Sequence, residues 1–160
     1  IDDAYNAAPA SVAAALSVLH ELSGRQRSIA VLGDMLELGA YARDAHRQAG
    51  AIVAQQHIQY LIGIGELAQE YIEGAVNAGM PKENTRHFST GDTSVEYLKN
   101  FLQPGDVILF KGSRGMSLDK VIGALFAIST GSTGWTSVLK TGLTMPAEYK
   151  DKNRLTAEGE

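Results

Sequence analysis

The chain has 160 residues, a formal net charge of −4 and no cysteine, with 44% hydrophobic and 20% charged residues. That length suits one domain with a real core, on a prior of roughly 100–200 residues per domain. Without cysteine there are no disulfides and no thiol nucleophile, which fits a reducing, cytoplasmic setting. The acidic balance argues against a nucleic-acid surface, and no apolar run approaches the ~18 residues of a membrane helix, so neither nucleic acid nor membrane insertion is expected.

The chain opens on Ile1-Asp2-Asp3, which reads as the end of a strand with no initiator Met. The expectation is a fragment of a longer polypeptide. Pro9 suits the first turn of a helix, where its missing N–H costs nothing. Val12, Leu16, Leu19 and Leu22 then fall on one helical face, and Gly24 is a stop signal. Ser28 to Leu32 is an apolar strand-type run. Ala45, Ala49, Ile52 and Val53 recur at helical spacing. Tyr60 to Ile64 is the next strand and Leu67 to Ala78 the next helix, broken by Gly79 and Pro81.

His87 and Phe88 suggest a short strand. Val95, Leu98 and Leu102 mark a helix ended by Pro104-Gly105. Asp106 to Phe110 is the clearest buried strand. Met116 to Ile128 is the last strong helix, with Val121, Ile122, Leu125 and Phe126 inward. Strands alternating with helices imply right-handed βαβ units. The fold class is therefore α/β, a three-layer Rossmann-like domain with a mostly parallel sheet, over residues 1–130. Residues 131–160 form a polar C-terminal extension, in which Trp135, Val138, Leu139 and Leu143 suit one short helix and the final stretch reads as mobile.

In open α/β sheets, ligands bind outside the carboxyl ends of the strands. Four segments follow the predicted strands: Asp2 to Ala7, Gly33 to Gly39, Gly63 to Glu66 and Lys111 to Gly115. Together they hold most of the unusual polar and glycine residues, which makes this edge the candidate binding edge. Each has a plainer reading too. Asp3 and Asn6 are residue types that cap a helix, Gly33 and Gly39 suit turns, and Asp34 with Glu37 reads equally as a solvated acidic pair. Lys111-Gly112-Ser113-Arg114-Gly115 places two cations and a hydroxyl at a strand-to-helix junction, where a helix N-terminus already favours anions, so it points to a carboxylate or phosphate site.

Gly63-Ile64-Gly65-Glu66-Leu67-Ala68 matches the outline of a dinucleotide fingerprint. Glu66 would repel a pyrophosphate there, so the motif is read as tight helix–sheet packing. His46 reads as structural or solvated, and His20, His57 and His87 have no metal-ligand spacing with it; no metal site is expected from this chain alone. No Gly-x-Ser-x-Gly is present. No G-x-x-x-x-G-K-[ST] occurs either, which argues against a self-sufficient P-loop ATPase.

Three motifs carry a resemblance. Asp2-Asp3-Ala4-Tyr5-Asn6-Ala7-Ala8-Pro9, Val31-Leu32-Gly33-Asp34-Met35-Leu36-Glu37-Leu38-Gly39 and Leu109-Phe110-Lys111-Gly112-Ser113-Arg114-Gly115 occur in the order and spacing of the last domain of MurF-type ligases, of the Mur ligase family. His46 with Gly50, and Gly65-Glu66-Leu67-Ala68, also fit. The resemblance covers residues 1 to about 128 and departs at Ala8, where a common form has Asn.

The resemblance implies a three-domain, ATP-dependent amide ligase that adds D-alanyl-D-alanine to UDP-MurNAc-tripeptide. The P-loop and magnesium ligands would belong to a central domain, and this domain would close over the active site. Asp3 then resembles the residue that contacts the ATP ribose, with Tyr5 and Asn6 beside the nucleotide. Asp34 and Glu37 lie in the acceptor-side loop, where a carboxylate suits the dipeptide's ammonium group. Lys111, Ser113 and Arg114 form the acceptor-binding turn, whose cations and hydroxyl suit its carboxylate. None of these is a catalytic proton-transfer residue. Two alternatives stand beside this reading: a stand-alone nucleotide- or flavin-binding module, and the equivalent domain of another Mur or folylpolyglutamate ligase.

Overall fold

The computed structural model describes residues 2–3 and 8–126. The expected helix around Trp135 and Leu143 lies outside the described residues, as does the rest of the 131–160 extension. Five strands, β1 (Asp2–Asp3), β2 (Ser28–Gly33), β3 (Tyr60–Ile64), β4 (Thr85–Phe88) and β5 (Val107–Lys111), form one sheet in the order β1-β5-β2-β3-β4. Every pairing is parallel. The helices between and after them are α1 (Pro9–Ser23), α2 (Ala42–Gln55), α3 (Ala68–Asn77), α4 (Gly91–Phe101) and α5 (Leu118–Phe126).

The sheet has a helical layer on each face, which explains why its central strands are apolar throughout rather than alternating. Strand β2 is buried at all six positions. Ala30 and Leu32 point into one core with Val12, Leu16 and Leu19 of α1, Val53 of α2 and Tyr71 of α3. Ile29 and Val31, one residue out of step, point into the other with Leu98 of α4 and Leu118 and Val121 of α5. Full burial of a Leu such as Leu16 or Leu98 contributes about 1.5–3 kcal/mol each.

Local signals set the element ends. Pro9 occupies the first helical position of α1, after an extended Ala8 (φ −118°, ψ 153°). The helix begins there, so Ala8 holds the capping position. The Ser11 hydroxyl reaches back to accept the Ala8 N–H at 3.0 Å. Gly24, at φ 53°, ends the helix. Leu22, expected inward, is 51% exposed, while Leu19 and Ser23 on either side of it are buried. Strand β5 runs one residue later than expected and includes Lys111. The last helix starts at Leu118 instead of Met116, because a 3-10 turn at Arg114–Met116 comes first. Val121 is buried, and Ile122 and Leu125 pack against the same core, as expected. No helix among the described residues is long and apolar enough to cross a membrane.

Candidate functional site

Parallel pairing puts the carboxyl ends of all five strands along one edge. Lys111, the last residue of β5, is in register with Asp3 of β1 on one side and Leu32 of β2 on the other. The segments after β1, β5 and β2 are therefore neighbours, with the turn after β3 next in line. Asp3 is placed by its backbone; Tyr5 and Asn6 lie outside the described residues.

The loop after β2 is tied down at several points. The Asp34 carbonyl accepts the Ser113 N–H at 3.1 Å. The Ser113 hydroxyl accepts the Leu36 N–H at 2.9 Å. The Met35 N–H donates to Nε2 of His46 at 3.0 Å. The Asp34 carboxylate accepts the Leu67 N–H through Oδ2 at 3.1 Å. One short loop thus touches β5's turn, α2 and the start of α3.

Asp34 is only 5% exposed, so it is not half of a solvated acidic pair. Its Oδ1 has no hydrogen-bond partner among the described residues. Glu37 does face solvent, and its backbone sits at φ 66°. A non-glycine residue in that left-handed region is held there by its surroundings at a cost of order 1–3 kcal/mol.

His46 is fully buried. Its Nδ1 lies 2.6 Å from the Ala42 carbonyl, which only accepts, so Nδ1 carries the proton. Its Nε2 accepts from Met35, which makes the ring the neutral Nδ1–H tautomer. Burial lowers the His46 pKa from 6.5, while the Ala42 hydrogen bond and the charges of Asp34 and Glu70 pull the other way. The Tyr71 ring lies against it, centroids 4.5 Å apart, and the Tyr71 hydroxyl donates to the Gly33 carbonyl at 3.0 Å. Burial, then the Asp34 charge, pushes the Tyr71 phenol well above its usual range.

Gly63 and Gly65 answer the fingerprint motif. A Cβ on Gly63 would press the Ala68 carbonyl oxygen at 2.8 Å, so the start of α3 packs tightly on β3. Gly65 faces the Asp34 carboxylate, and its carbonyl is 2.7 Å from Nε2 of His87. In a dinucleotide fold the pyrophosphate sits at such a helix N-terminus. Here Asp34, an internal anion, already accepts a backbone N–H of that turn.

In the turn after β5, Lys111 is 2% and Ser113 7% exposed, while Arg114 faces solvent. The 3-10 turn separates Lys111 from the N-terminus of α5, so the anion-favouring end of that helix is set back from the cations. The edge thus pairs a buried cation with an exposed one, and a buried carboxylate with an exposed one. No group of three or more His, Asp or Glu among the described residues is placed to hold a metal ion.

Sequence reasoning missed His46 and Tyr71 as parts of this edge. His46 follows Asp34 by 12 positions on the next helix, and only α2's packing angle shows that its ring reaches back to the loop. The available signal was its place in register with Ala45 and Ala49 on the inward face of α2.

A family model described as "Mur ligase, glutamate ligase domain" matches residues 1–114. A UDP-N-acetylmuramoyl-tripeptide–D-alanyl-D-alanine ligase from Bacillus subtilis is 36% identical over 122 residues, covering 76% of this chain and 26% of that protein. The ligase of the same name from Synechocystis is 38% identical over 127 residues, covering 79% and 27%. Among solved structures, MurF from Acinetobacter baumannii superposes with a TM-score of 0.68 at 29% identity, over 78% of this chain and 27% of that one. The chain spans about a quarter of the length of the curated relatives it matches.

Proposed function

Since the chain belongs to the Mur ligase family, we propose that it is the closing domain of an ATP-dependent ligase that joins D-alanyl-D-alanine to UDP-MurNAc-tripeptide in the cytoplasm. The observation that carries this reading is the bonded unit of Asp34, Leu36 and Ser113, which fixes the loop after β2 against the turn after β5 at the binding edge. Relatives that match more than three quarters of this chain bear that ligase's name. We place the end of the domain at about residue 130, with 131–160 as an extension.

In this role the chain supplies no proton-transfer group. It orients substrates and excludes water when it closes. Arg114, exposed and able to pair bidentately, takes the dipeptide carboxylate. Lys111, buried behind it, adds fixed positive potential, and Ser113 holds the turn in place beside the ligand. Glu37 meets the dipeptide's ammonium group, with the buried Asp34 charge favouring a cation nearby. We assign Asp3, Tyr5 and Asn6 to the nucleotide. ATP and magnesium are held mainly by the central domain of the complete ligase, where the acyl phosphate is formed and then attacked by the dipeptide amine. A dinucleotide or flavin module is disfavoured because Asp34 occupies the start of α3.

The test is kinetic, on the complete ligase. Arg114→Ala is expected to raise the KM for D-alanyl-D-alanine about 10- to 100-fold, the worth of a lost charge-assisted hydrogen bond, and to leave the KM for ATP near its wild-type value. A loss confined to ATP, or no change in either, would overturn the assignment of this turn to the acceptor.

A further inference from the structure

We propose that His46 is a positioning residue for the acceptor-side loop: as a neutral Nδ1–H ring it holds the Met35 amide, and through it sets Asp34 and Glu37 where the dipeptide's ammonium group arrives. This builds on the acceptor reading given above. The ring touches no substrate and acts only through the loop.

The geometry leaves His46 little freedom. Both ring nitrogens are committed, Nδ1 to the Ala42 carbonyl and Nε2 to the Met35 N–H. The side chain is fully buried and its ring lies tilted against that of Tyr71. Met35, whose amide it holds, lies between Asp34 and Leu36, whose N–H is fixed by Ser113. Two residues on, Glu37 takes its left-handed backbone. The His46 bond is thus one of the restraints that over-determine a strained turn.

A second proton could enter only at Nε2. It would replace the acceptor of the Met35 amide with a donor, and two N–H groups would face each other. The anions facing the ring are Asp34 from the end of β2 and Glu70 from α3; the Tyr71 phenol of α3 is neutral. Glu70 is already engaged by Arg43 at 2.8 Å and Arg47 at 2.6 Å. The Asp34 Oδ1 stands 3.9 Å from Nε2 and has no hydrogen-bond partner among the described residues. Protonation therefore trades the Met35 bond for an ion pair with Asp34. That releases the loop and neutralises the charge that favours the dipeptide's ammonium group.

Two substitutions separate the ring's two bonds in the complete ligase. The amide oxygen of Gln reaches the position of Nε2, and that of Asn only the position of Nδ1. His46→Gln is expected to keep the KM for D-alanyl-D-alanine within about 3-fold of wild type near pH 8 and to abolish the acid-side rise in that KM. His46→Asn is expected to raise it about 10-fold or more, the range for an unsatisfied buried N–H, with the KM for ATP unchanged. Equal effects of the two substitutions, an equal shift in both KM values, or a wild-type dipeptide KM that stays flat as the pH falls would overturn the proposal.

Nitrogen NMR of histidine-labelled ligase provides a measurement independent of any variant's folding. It should show His46 at neutral pH with Nδ1 protonated and Nε2 bare, and an Nε2–H ring would overturn the proposal. If the wild-type ligase does not use D-alanyl-D-alanine, the acceptor reading fails, and the ring tautomer still decides whether His46 holds Met35.

Discussion

The Asp34 carboxylate lies directly against the Cα of Gly65, so that a single methyl group added there would overlap it. Gly65 also sits at φ +130°, outside the range of ordinary L side chains. Gly65→Ala is therefore expected to destabilise the fold by more than about 1 kcal/mol from backbone strain alone. The displaced Asp34 adds to this by losing its bond to the Leu67 N–H. Chemical denaturation checks the stability, and a midpoint unchanged from wild type would show that the two groups are not in contact.

Helices α2 and α3 meet through a reciprocal pair of glycines. A Cβ on Gly50 would run into the backbone of Tyr71, and one on Gly74 into the backbone of Arg47. Neither obstacle is a flexible side-chain end. Gly50→Ala and Gly74→Ala are each expected to cost about 1–3 kcal/mol, the range for forcing extra volume into a packed interior. The measurement is a denaturant midpoint. Because Tyr71 and His46 lie in this same interface, Gly50→Ala should also weaken the loop after β2, which amide exchange at Met35 and Leu36 would report.

Most of the fold could be read from the chain because its signals are local. Runs such as Ser28 to Leu32 and Tyr60 to Ile64, set between helical spacings, suit strands covered on both faces as in a parallel sheet, and Pro9 with Gly24 brackets a helix by backbone chemistry alone. What could not be read depends on distance in space. Asp34 looks like a loop acid in the sequence, and its burial becomes visible only when α3 places the Leu67 N–H against it. The 3-10 turn at Arg114–Met116 was hidden because no Pro or Gly between Met116 and Leu118 marks a break before the apolar face of Leu118, Val121, Ile122 and Leu125. The roles of Lys111 and Arg114 came from charge type at a strand end, which says where a ligand should sit and not which of the two cations reaches solvent.

Acid should weaken this fold through His46. Its folded pKa lies below the unfolded value of 6.5. Between those two values the unfolded chain binds more protons than the native one, so stability rises with pH across that window and is lost as pH falls through it. The stabilisation is fully present above 6.5. His46→Gln is expected to flatten this part of the stability profile in denaturation experiments across the window. A wild-type profile that improves on acidification there would contradict the neutral buried ring.

Tyr71→Phe isolates one bond in the same cluster. The ring stays, with its contact to His46, and only the hydroxyl that donates to the Gly33 carbonyl is lost. The expected cost is about 1–3 kcal/mol, because the Gly33 carbonyl is left in a buried place with one partner fewer. Tyr71→Leu removes the ring contact as well and should cost more. If Tyr71→Phe has no effect on the denaturant midpoint, the hydroxyl is not contributing through Gly33.

Asp34→Asn tests whether the buried carboxylate matters as a charge or only as an acceptor. The amide oxygen can still take the Leu67 N–H, so any loss comes from removing a negative charge beside the N-terminus of α3. A carboxylate at that position is worth about 0.3–1 kcal/mol at a surface and up to about 2 when partly buried, and at 5% exposure the upper end applies. Asp34→Ala loses the acceptor too and should be worse than Asp34→Asn. Equal stability for wild type and Asp34→Asn would mean that Asp34 serves α3 as a neutral cap would. Its charge would then be kept for the ligand, and the deficit of the variant would appear in the dipeptide KM in place of the melting curve.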